Sequence, residues 1–490
     1  MSNPLSDSSG VQDTPLYQFV NRRNQRLQLQ ISERRLLLML GDVVAVIASV
    51  LVSLRIWALV ARYEFTLDFI LDQTNLFIIL IGVWLFLANA NDLYVLRVAA
   101  SRSQTFQRLL IINAQMVVVY LVIFFLSPRT ALPRLFILYY AVTSLVFISA
   151  WRYARPFLLG WASSPRHTLI VGANGAASAI IKALAEYAPN EYAVKGIIAM
   201  PGDVGTVISG VPVVGTGADL MNFVTRDRVS ELIITSTRSL SGETFQAVMD
   251  AYERGITVIP MTLLYERITG RVPVEHLSDD WPIVLLTPQA IGSTQRINQI
   301  LKRMFDIVLS LIGLALFAVI LPPLALLIKL DSPGSIFYSQ RRVGLNGRIF
   351  NIYKLRSMIE NAEADTGAVF SYRDDPRVTR VGRFMRRTRL DELPQLFNVL
   401  RGDMSLVGPR PERPEHMARL TEKIPFYRTR LIVRPGMSGW AQVRYDYGSN
   451  DVDALIKLEY DLYYIRHQSV LLDLNIILRT IGKALAFRGV

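Results

Sequence analysis

Four apolar runs, near residues 36–60, 74–94, 107–127 and 134–153, constrain this chain more than any other feature. Each is close to the ~20 residues that a helix needs to cross the hydrocarbon core of a bilayer. The chain is 51% hydrophobic with a mean hydropathy of +0.31, too apolar for an ordinary soluble enzyme. Arg22, Arg23, Arg26, Arg34 and Arg35 precede the first run. Arg97, Arg102 and Arg108 fall between the second and third, and Arg152, Arg155 and Arg166 follow the fourth. The loops on the other side carry fewer positive charges, mainly Arg62, Arg129 and Arg134. The positive-inside rule then puts the N-terminus and everything after residue 155 in the cytoplasm. Residues 34–155 are the expected four-helix transmembrane region. Residues 1–33, polar and without a sustained apolar period, are the expected flexible cytosolic tail, and no cleavable signal peptide is apparent. Asp42 and Arg55 sit inside the first run, where charge is costly. Both are expected to face the bundle or lie near the interface, without catalytic work.

A net charge of +13 suits nucleic acid or an anionic membrane surface. The apolar runs favour the membrane, and the absence of a recognisable nucleic-acid-binding fold argues against the other partner. With no cysteine there are no disulfides and no thiolate metal sites. The four histidines, His167, His276, His416 and His467, show no paired metal-ligand spacing. Any metal is therefore expected to be oxygen-bound, as Mg²⁺ or Mn²⁺.

Residues 165–285 change character. His167-Thr168-Leu169-Ile170-Val171-Gly172 reads as a buried strand running into a Gly/Ala-rich turn, with a helix beginning near Ala177. Later short apolar runs (195–199, 231–235, 256–260) alternate with helical stretches, which predicts a Rossmann-like parallel α/β domain. Its glycine fingerprint is poor. Gly172-Ala173-Asn174-Gly175-Ala176-Ala177 has Asn174 where a second glycine would stand, and no acidic residue is clearly placed about 20 positions on to hold a ribose. A Tyr-x-x-x-Lys dyad is also missing from 165–285, so a hydride-transferring nucleotide-sugar enzyme is disfavoured and a structural or regulatory domain is expected.

The segment 307–330 is long enough to cross the membrane, but a fifth crossing would carry the remaining chain out of the cytoplasm. Pro322-Pro323 offers another course, because two prolines inside a helix remove backbone donors and force a bend. A re-entrant helix over 303–330 is therefore expected, with Lys302 and Arg303 at one end and Lys329 at the other, all at the cytoplasmic interface.

Beyond it lies the chemistry. Arg386-Arg387-Thr388-Arg389-Leu390-Asp391-Glu392 sets two adjacent carboxylates at the end of a run that also holds Arg373, Arg377, Arg380 and Arg383. Nearby guanidinium groups lower a carboxylate's pKa and keep it ionised. Such a carboxylate can ligate Mg²⁺ or attack an electrophile, and arginines can hold phosphate oxygens bidentately. Some of this run is also expected to meet anionic lipid headgroups. Pro409-Arg410-Pro411 places one more arginine between two fixed φ angles, a stiff loop suited to aiming a guanidinium at phosphate. The pattern points to phosphoryl transfer.

These residues do not stand alone. Lys302-Arg303-Met304-Phe305-Asp306 opens the apolar segment, followed by Tyr338-Ser339-Gln340-Arg341-Arg342-Val343-Gly344 and Tyr353-Lys354-Leu355-Arg356-Ser357-Met358. The Asp391-Glu392 block, Pro409-Arg410-Pro411 and Arg434-Pro435-Gly436-Met437-Ser438-Gly439-Trp440 come next. In this order the motifs resemble the bacterial polyprenyl-phosphate sugar-phosphate transferases, the monotopic phosphoglycosyl transferases. The resemblance implies a mainly α-helical α+β catalytic domain over 296–490. It implies transfer of hexose 1-phosphate from a UDP-sugar, with UDP-glucose or UDP-galactose favoured, to undecaprenyl phosphate. Asp391 would be the nucleophile and a metal ligand, UMP the leaving product, and an aspartyl phosphosugar the intermediate. Glu392 would either help place Mg²⁺ or act as a base towards the lipid phosphate. Arg386 and Arg410 would hold substrate phosphates, Lys302 and Arg303 the lipid phosphate, with Asp306 capping or pairing locally. Gln340, Arg341, Lys354 and Arg356 would support phosphate or fold, and Trp440 with Gln442 would lie near the nucleotide or only pack. The apolar stretch 470–487, interrupted by charges, is expected to lie on the membrane as an amphipathic helix. A homodimer in the bacterial cytoplasmic membrane is expected. A membrane scaffold with an inactive transferase domain is the competing class; Asp391, Glu392 and Arg410 together argue against it.

Overall fold

The structure is a computed structural model that describes residues 31–71, 74–95, 98–99, 101–126, 135–158, 165–189, 191–236, 240–277, 293–360, 362, 375–445, 448 and 450–485. The polar leader through residue 30, Arg97, Arg129, Arg134 and Arg373 lie outside the described residues, as do the side chains of Arg34, Arg35 and Arg155. The expected tail and part of the expected charge asymmetry fall there.

The apolar runs form α1 (Ile31–Ala61), a short α2 (Leu67–Leu71), α3 (Thr74–Ala90), α4 (Arg102–Leu126) and α5 (Phe136–Leu158). Of these, α1, α4 and α5 are long and apolar enough to cross a membrane. The second run is shorter than expected: α3 has 17 residues, and its apolar stretch is only Phe77–Ala90. It ends where the Asn91 amide donates to the Leu87 carbonyl and Asp92 turns the chain at φ +57°. Leu38, Val50, Trp84, Leu109, Met116 and Tyr140 belong to one core shared by these helices. A Cβ on Gly41 would lie 2.0 Å from the Trp151 indole, so glycine permits the close approach of α1 and α5. Asp42 does face the bundle, where it pairs with Arg152 at 2.5 and 3.0 Å. Arg152 is thus no loop charge. It is buried, and it also donates to the Leu93 carbonyl. Arg55 is exposed, over the Phe65 ring.

A six-stranded mixed sheet follows. It contains β1 (Arg166–Val171), α6 (Gly175–Tyr187), β2 (Tyr192–Ile198), β3 (Val207–Ile208), β4 (Val211–Gly215), α7 (Leu220–Arg226), β5 (Glu231–Ile234), α8 (Gly242–Glu253), β6 (Thr257–Pro260) and α9 (Met261–Thr269). The strand order is β3-β4-β2-β1-β5-β6, parallel throughout except for the β3–β4 hairpin at one edge. Leu169, Ile170 and Val171 of β1 are fully buried, as a strand covered on both faces requires. Asn174 is the N-cap of α6 and accepts from the Ala177 amide, which accounts for an asparagine where a second glycine would stand.

The remaining chain forms α10 (Ser293–Asp331), β7 (Phe337–Val343), β8 (Ile349–Leu355), α11 (Arg380–Thr388), α12 (Gln395–Arg401), β9 (Ser405–Val407), α13 (Pro414–Lys423), β10 (Gly436–Ser438), α14 (Trp440–Arg444), α15 (Asp451–Arg466) and α16 (Val470–Leu485). Helix α10 is continuous over 39 residues, and the chain stays helical through Pro322 and Pro323. Both of its ends are tied to the same module. Near the start, Lys302 donates to the Val407 carbonyl; at the end, the Val381 amide donates to Asp331. Between them, Gly313 packs on Leu396, and Phe317, Leu324 and Ile328 share a core with Leu355 and Met385. The opposite face leaves Val308, Ile312, Leu316, Val319, Leu326 and Leu330 exposed, an apolar stripe at helical spacing.

Candidate active site

Asp391 and Glu392 reach the interior because α11 ends in a sharp reversal. Arg389 caps it in the left-handed conformation, φ +58°, which costs a non-glycine residue about 1–2 kcal/mol. The next three residues form a 3₁₀ turn, Leu390–Glu392, that carries both carboxylates into the module, where both are buried. On the other side of α11, Gly382 rests on the Ser357 carbonyl; a Cβ there would come within 2.0 Å, so glycine sets the contact between α11 and the end of β8.

Three cations converge on Glu392: Arg410 at 2.8 Å, Lys354 of β8 at 3.3 Å and Arg389 at 3.6 Å. Asp391 differs. No hydrogen bond from a described residue reaches its carboxylate. Arg386, half-buried, donates to the Ser357 hydroxyl at 2.9 Å.

The two carboxyls are driven apart electrostatically. Burial raises the pKa of Asp391, the adjacent Glu392 charge adds to that, and Lys354, Arg386 and Arg410 only partly oppose it. Burial would also raise Glu392, but Arg410, Lys354 and Arg389 together outweigh it and hold that carboxyl far below the usual range. Guanidinium groups favour the charged form of both carboxyls, as expected; at Glu392 they outweigh burial, whereas at Asp391 burial outweighs them. Lys354 is lowered by its own burial.

Arg410 is aimed by its neighbours. Arg342 donates to the Pro411 carbonyl, the Val343 amide to the Glu412 carbonyl, and Arg430 to the Arg410 carbonyl. Arg430 is fixed in turn by Glu412 at 3.2 Å and Asp461 at 2.7 Å. Sequence reasoning assigned no role to Arg342, Arg430 or Asp461. Arg342 lies within the Tyr338–Gly344 motif, but only the fold reveals that it holds the Pro409-Arg410-Pro411 loop.

Three expected phosphate ligands are occupied elsewhere. Lys302 donates to the Val407 carbonyl (3.0 Å), Tyr464 (3.1 Å) and Asp473 (2.5 Å), which uses all three ammonium protons. Arg303 caps α12 through the Val399 and Leu400 carbonyls. Arg356 caps α10 through the carbonyls of Ile328, Ser332 and Pro333. Each is a staple within the fold. Asp306 does not pair locally: it accepts from Ser405 and the Leu406 amide, 99 and 100 residues away. Arg377 is held by Asp375, while Arg380, Arg383 and Arg387 are exposed beside Phe384. Trp440 packs, with its indole N–H on the Gly270 carbonyl. Helix α16 packs Leu478 against the core of the apolar bundle and is not only a surface helix.

Fold and site together define a membrane protein with a carboxylate pair buried in a cationic cradle. Residues 297–487 match the family described as bacterial sugar transferase, and residues 89–258 match one described as CoA-binding domain. The chain is 46% identical over 234 residues to a UDP-N-acetylgalactosamine-undecaprenyl-phosphate N-acetylgalactosaminephosphotransferase of Aeromonas hydrophila, covering 48% of this chain and 53% of that protein. It is 42% identical over 219 residues to the undecaprenyl-phosphate glucose phosphotransferase of Komagataeibacter xylinus, covering 43% of this chain and 41% of that protein. With the exopolysaccharide production protein PSS of Rhizobium leguminosarum bv. phaseoli it shares 43% identity over 187 residues, 37% of this chain and 94% of that one. The chain thus spans about half or less of the first two relatives and nearly all of the third. It belongs to the bacterial sugar transferase family.

Proposed function

We propose that the protein transfers hexose 1-phosphate from a UDP-sugar to undecaprenyl phosphate, the first membrane step of exopolysaccharide, capsule or O-antigen synthesis. The observation that carries this is the buried Asp391 carboxylate, without a hydrogen bond from the described residues, beside a Glu392 clasped by Lys354, Arg389 and Arg410. An Asp391 oxygen attacks the β-phosphorus of the donor, the bond to UMP breaks, and an aspartyl phosphosugar forms. An oxygen of undecaprenyl phosphate then attacks the same phosphorus, and the Asp391 carboxylate leaves. Asp391 attacks as the carboxylate, a form that burial and Glu392 disfavour and that Lys354, Arg386 and Arg410 favour. Arg410, half-exposed at the mouth, is placed to take a donor phosphate in the same fork that meets Glu392.

Of the two roles open for Glu392, the structure favours placement over base catalysis. A carboxylate held so strongly ionised is a weak proton acceptor. The donor set is compatible with Mg²⁺ or Mn²⁺. Asp391 and Glu392 are joined by no third acidic, His or Cys side chain among the described residues. Mg²⁺ commonly binds through one or two carboxylates plus substrate phosphates. Asp391, with Glu392 behind it, would hold the ion, which when bound would neutralise the diphosphate.

The re-entrant course of α10 is part of this reading. A straight helix from Lys302 to Asp331 would part its ends by about 45 Å, yet both are hydrogen-bonded to one module. With its exposed apolar stripe, α10 would seat that module in the cytoplasmic leaflet, as a homodimer. The 165–285 domain is structural or regulatory in this reading; Thr235 and His276 stand close against Gly172 and Gly175. The names of the relatives divide between glucose and N-acetylgalactosamine. The test is therefore UMP release by the purified protein with Mg²⁺, undecaprenyl phosphate and UDP-glucose, UDP-galactose or UDP-N-acetylgalactosamine. Release with one donor, lost in Asp391→Asn, supports the reading; no release above the variant with any donor overturns it.

A further inference from the structure

The turn after α3 carries a carboxylate that the chemistry above does not use. Asp92 accepts from Arg444 at 3.2 and 3.0 Å and from Arg479 at 2.7 Å twice, partners 352 and 387 residues away. Burial alone would raise its pKa, but the two arginines outweigh burial and keep it ionised. Both guanidinium groups also lie over one ring, Trp440, at 4.4 and 5.8 Å from its centroid. The same indole donates to the Gly270 carbonyl just beyond α9. Three parts of the chain therefore meet at one residue: the apolar bundle, the mixed-sheet domain and the C-terminal module.

From Trp440 a short path leads to the site. Trp440 begins α14 directly after β10, which pairs in parallel with β9, Ser438 opposite Val407. The Gly408 amide donates to the Ser438 carbonyl, and the Gly436 amide to the Pro409 carbonyl. The Ser438 hydroxyl meets Thr480, the residue after Arg479, at 2.5 Å. Pro409 precedes Arg410, whose guanidinium holds Glu392.

We propose that Asp92 is a positioning residue for the transfer reaction. From the membrane bundle it locks α14 and α16, and through β10 and β9 it fixes the Pro409-Arg410-Pro411 loop against Glu392. The bundle is thereby a working part of the active site and not only an anchor. This rests on the transfer reading given above.

The discriminating variants are Asp92→Asn and the triple variant Asp92→Asn, Arg444→Gln, Arg479→Gln, each in the full chain. The single change leaves two cations without their counter-charge, whereas the triple change leaves no unpaired charge. A positioning role predicts that both lower kcat at least tenfold, with KM for the donor moving less than threefold. A triple variant with wild-type kcat would show that Asp92 only neutralises the arginines, and the proposal would fail. Wild-type kcat in both variants would also overturn it. Because the chain has no cysteine, spin labels can be placed at Arg102→Cys on α4 and Ile481→Cys on α16 alone. Their distance distribution should broaden in both variants. If the wild-type chain releases no UMP, the transfer reading fails while this distance still decides whether Asp92 fixes the module; an unchanged distribution overturns that.

Discussion

Adjacent carboxylates seldom respond to neutralisation in opposite ways, and Asp391 and Glu392 should. Glu392 is buried against three cations at 2.8, 3.3 and 3.6 Å. Removing one partner of a buried pair costs about 3–5 kcal/mol. Arg410 is 43% exposed and can recover water, so the expected penalty for Glu392→Gln is about 2–4 kcal/mol. For a module of this size each kcal/mol is about 2–4 °C, which predicts a loss of roughly 5–15 °C in its unfolding transition. Asp391→Asn removes a carboxyl that burial and Glu392 already disfavour as an anion. It should leave stability unchanged or raise it by up to about 2 kcal/mol, as active-site replacements can. The pH dependence follows. The raised pKa of Asp391 makes its contribution full below the unfolded value of about 3.9 and lost as pH rises through the folded pKa. The advantage of the asparagine variant therefore grows towards neutral pH. The lowered pKa of Glu392 makes its contribution full above about 4.3 and lost on acidification, so the glutamine penalty is largest at neutral pH. Scanning calorimetry of the full chain in detergent between pH 3 and 8 reads both. Equal destabilisation by the two variants would refute the electrostatic reasoning.

Arg410→Ala should lower kcat/KM for UMP release by about 100-fold or more, and Arg410→Lys should recover only part, since the planar fork is lost. Lys302→Ala should lower the unfolding temperature without raising KM for undecaprenyl phosphate; a selective rise in that KM would return Lys302 to the lipid site. Burial raises Glu266 and Glu459 to about 7 despite their partners Arg466 and Arg271. Their protons therefore stabilise the contact between α9 and α15 fully below about pH 4.3, and this is lost as pH rises through 7. Unfolding temperature should fall between pH 5 and 8, and Glu266→Gln should flatten that fall; an unchanged slope would contradict it.

The sequence was most legible where pattern is local. Apolar length located α1, α4 and α5, and the alternation after residue 165 anticipated the parallel strands of the sheet. The ordered motifs brought Lys354, Arg389, Asp391, Glu392 and Arg410 to one place. What stayed hidden was decided by partners distant in the chain. Lys302 looked free for phosphate because Asp473 lies 171 residues away, and Arg303 because the carbonyls it caps belong to α12. Arg152 looked like a loop charge until Asp42, 110 residues earlier, appeared beside it. The protonation preference of Asp391 depends on burial, which no motif states.

The most direct test of the transfer account leaves the acceptor out. Purified full-length protein, mixed with the active UDP-sugar and Mg²⁺ but no undecaprenyl phosphate, should release about one UMP per site and gain the mass of one hexose phosphate on the peptide holding Asp391. Asp391→Asn should do neither. UMP released only when acceptor is present, with no mass added to that peptide, would contradict the covalent mechanism and with it the role given to Asp391.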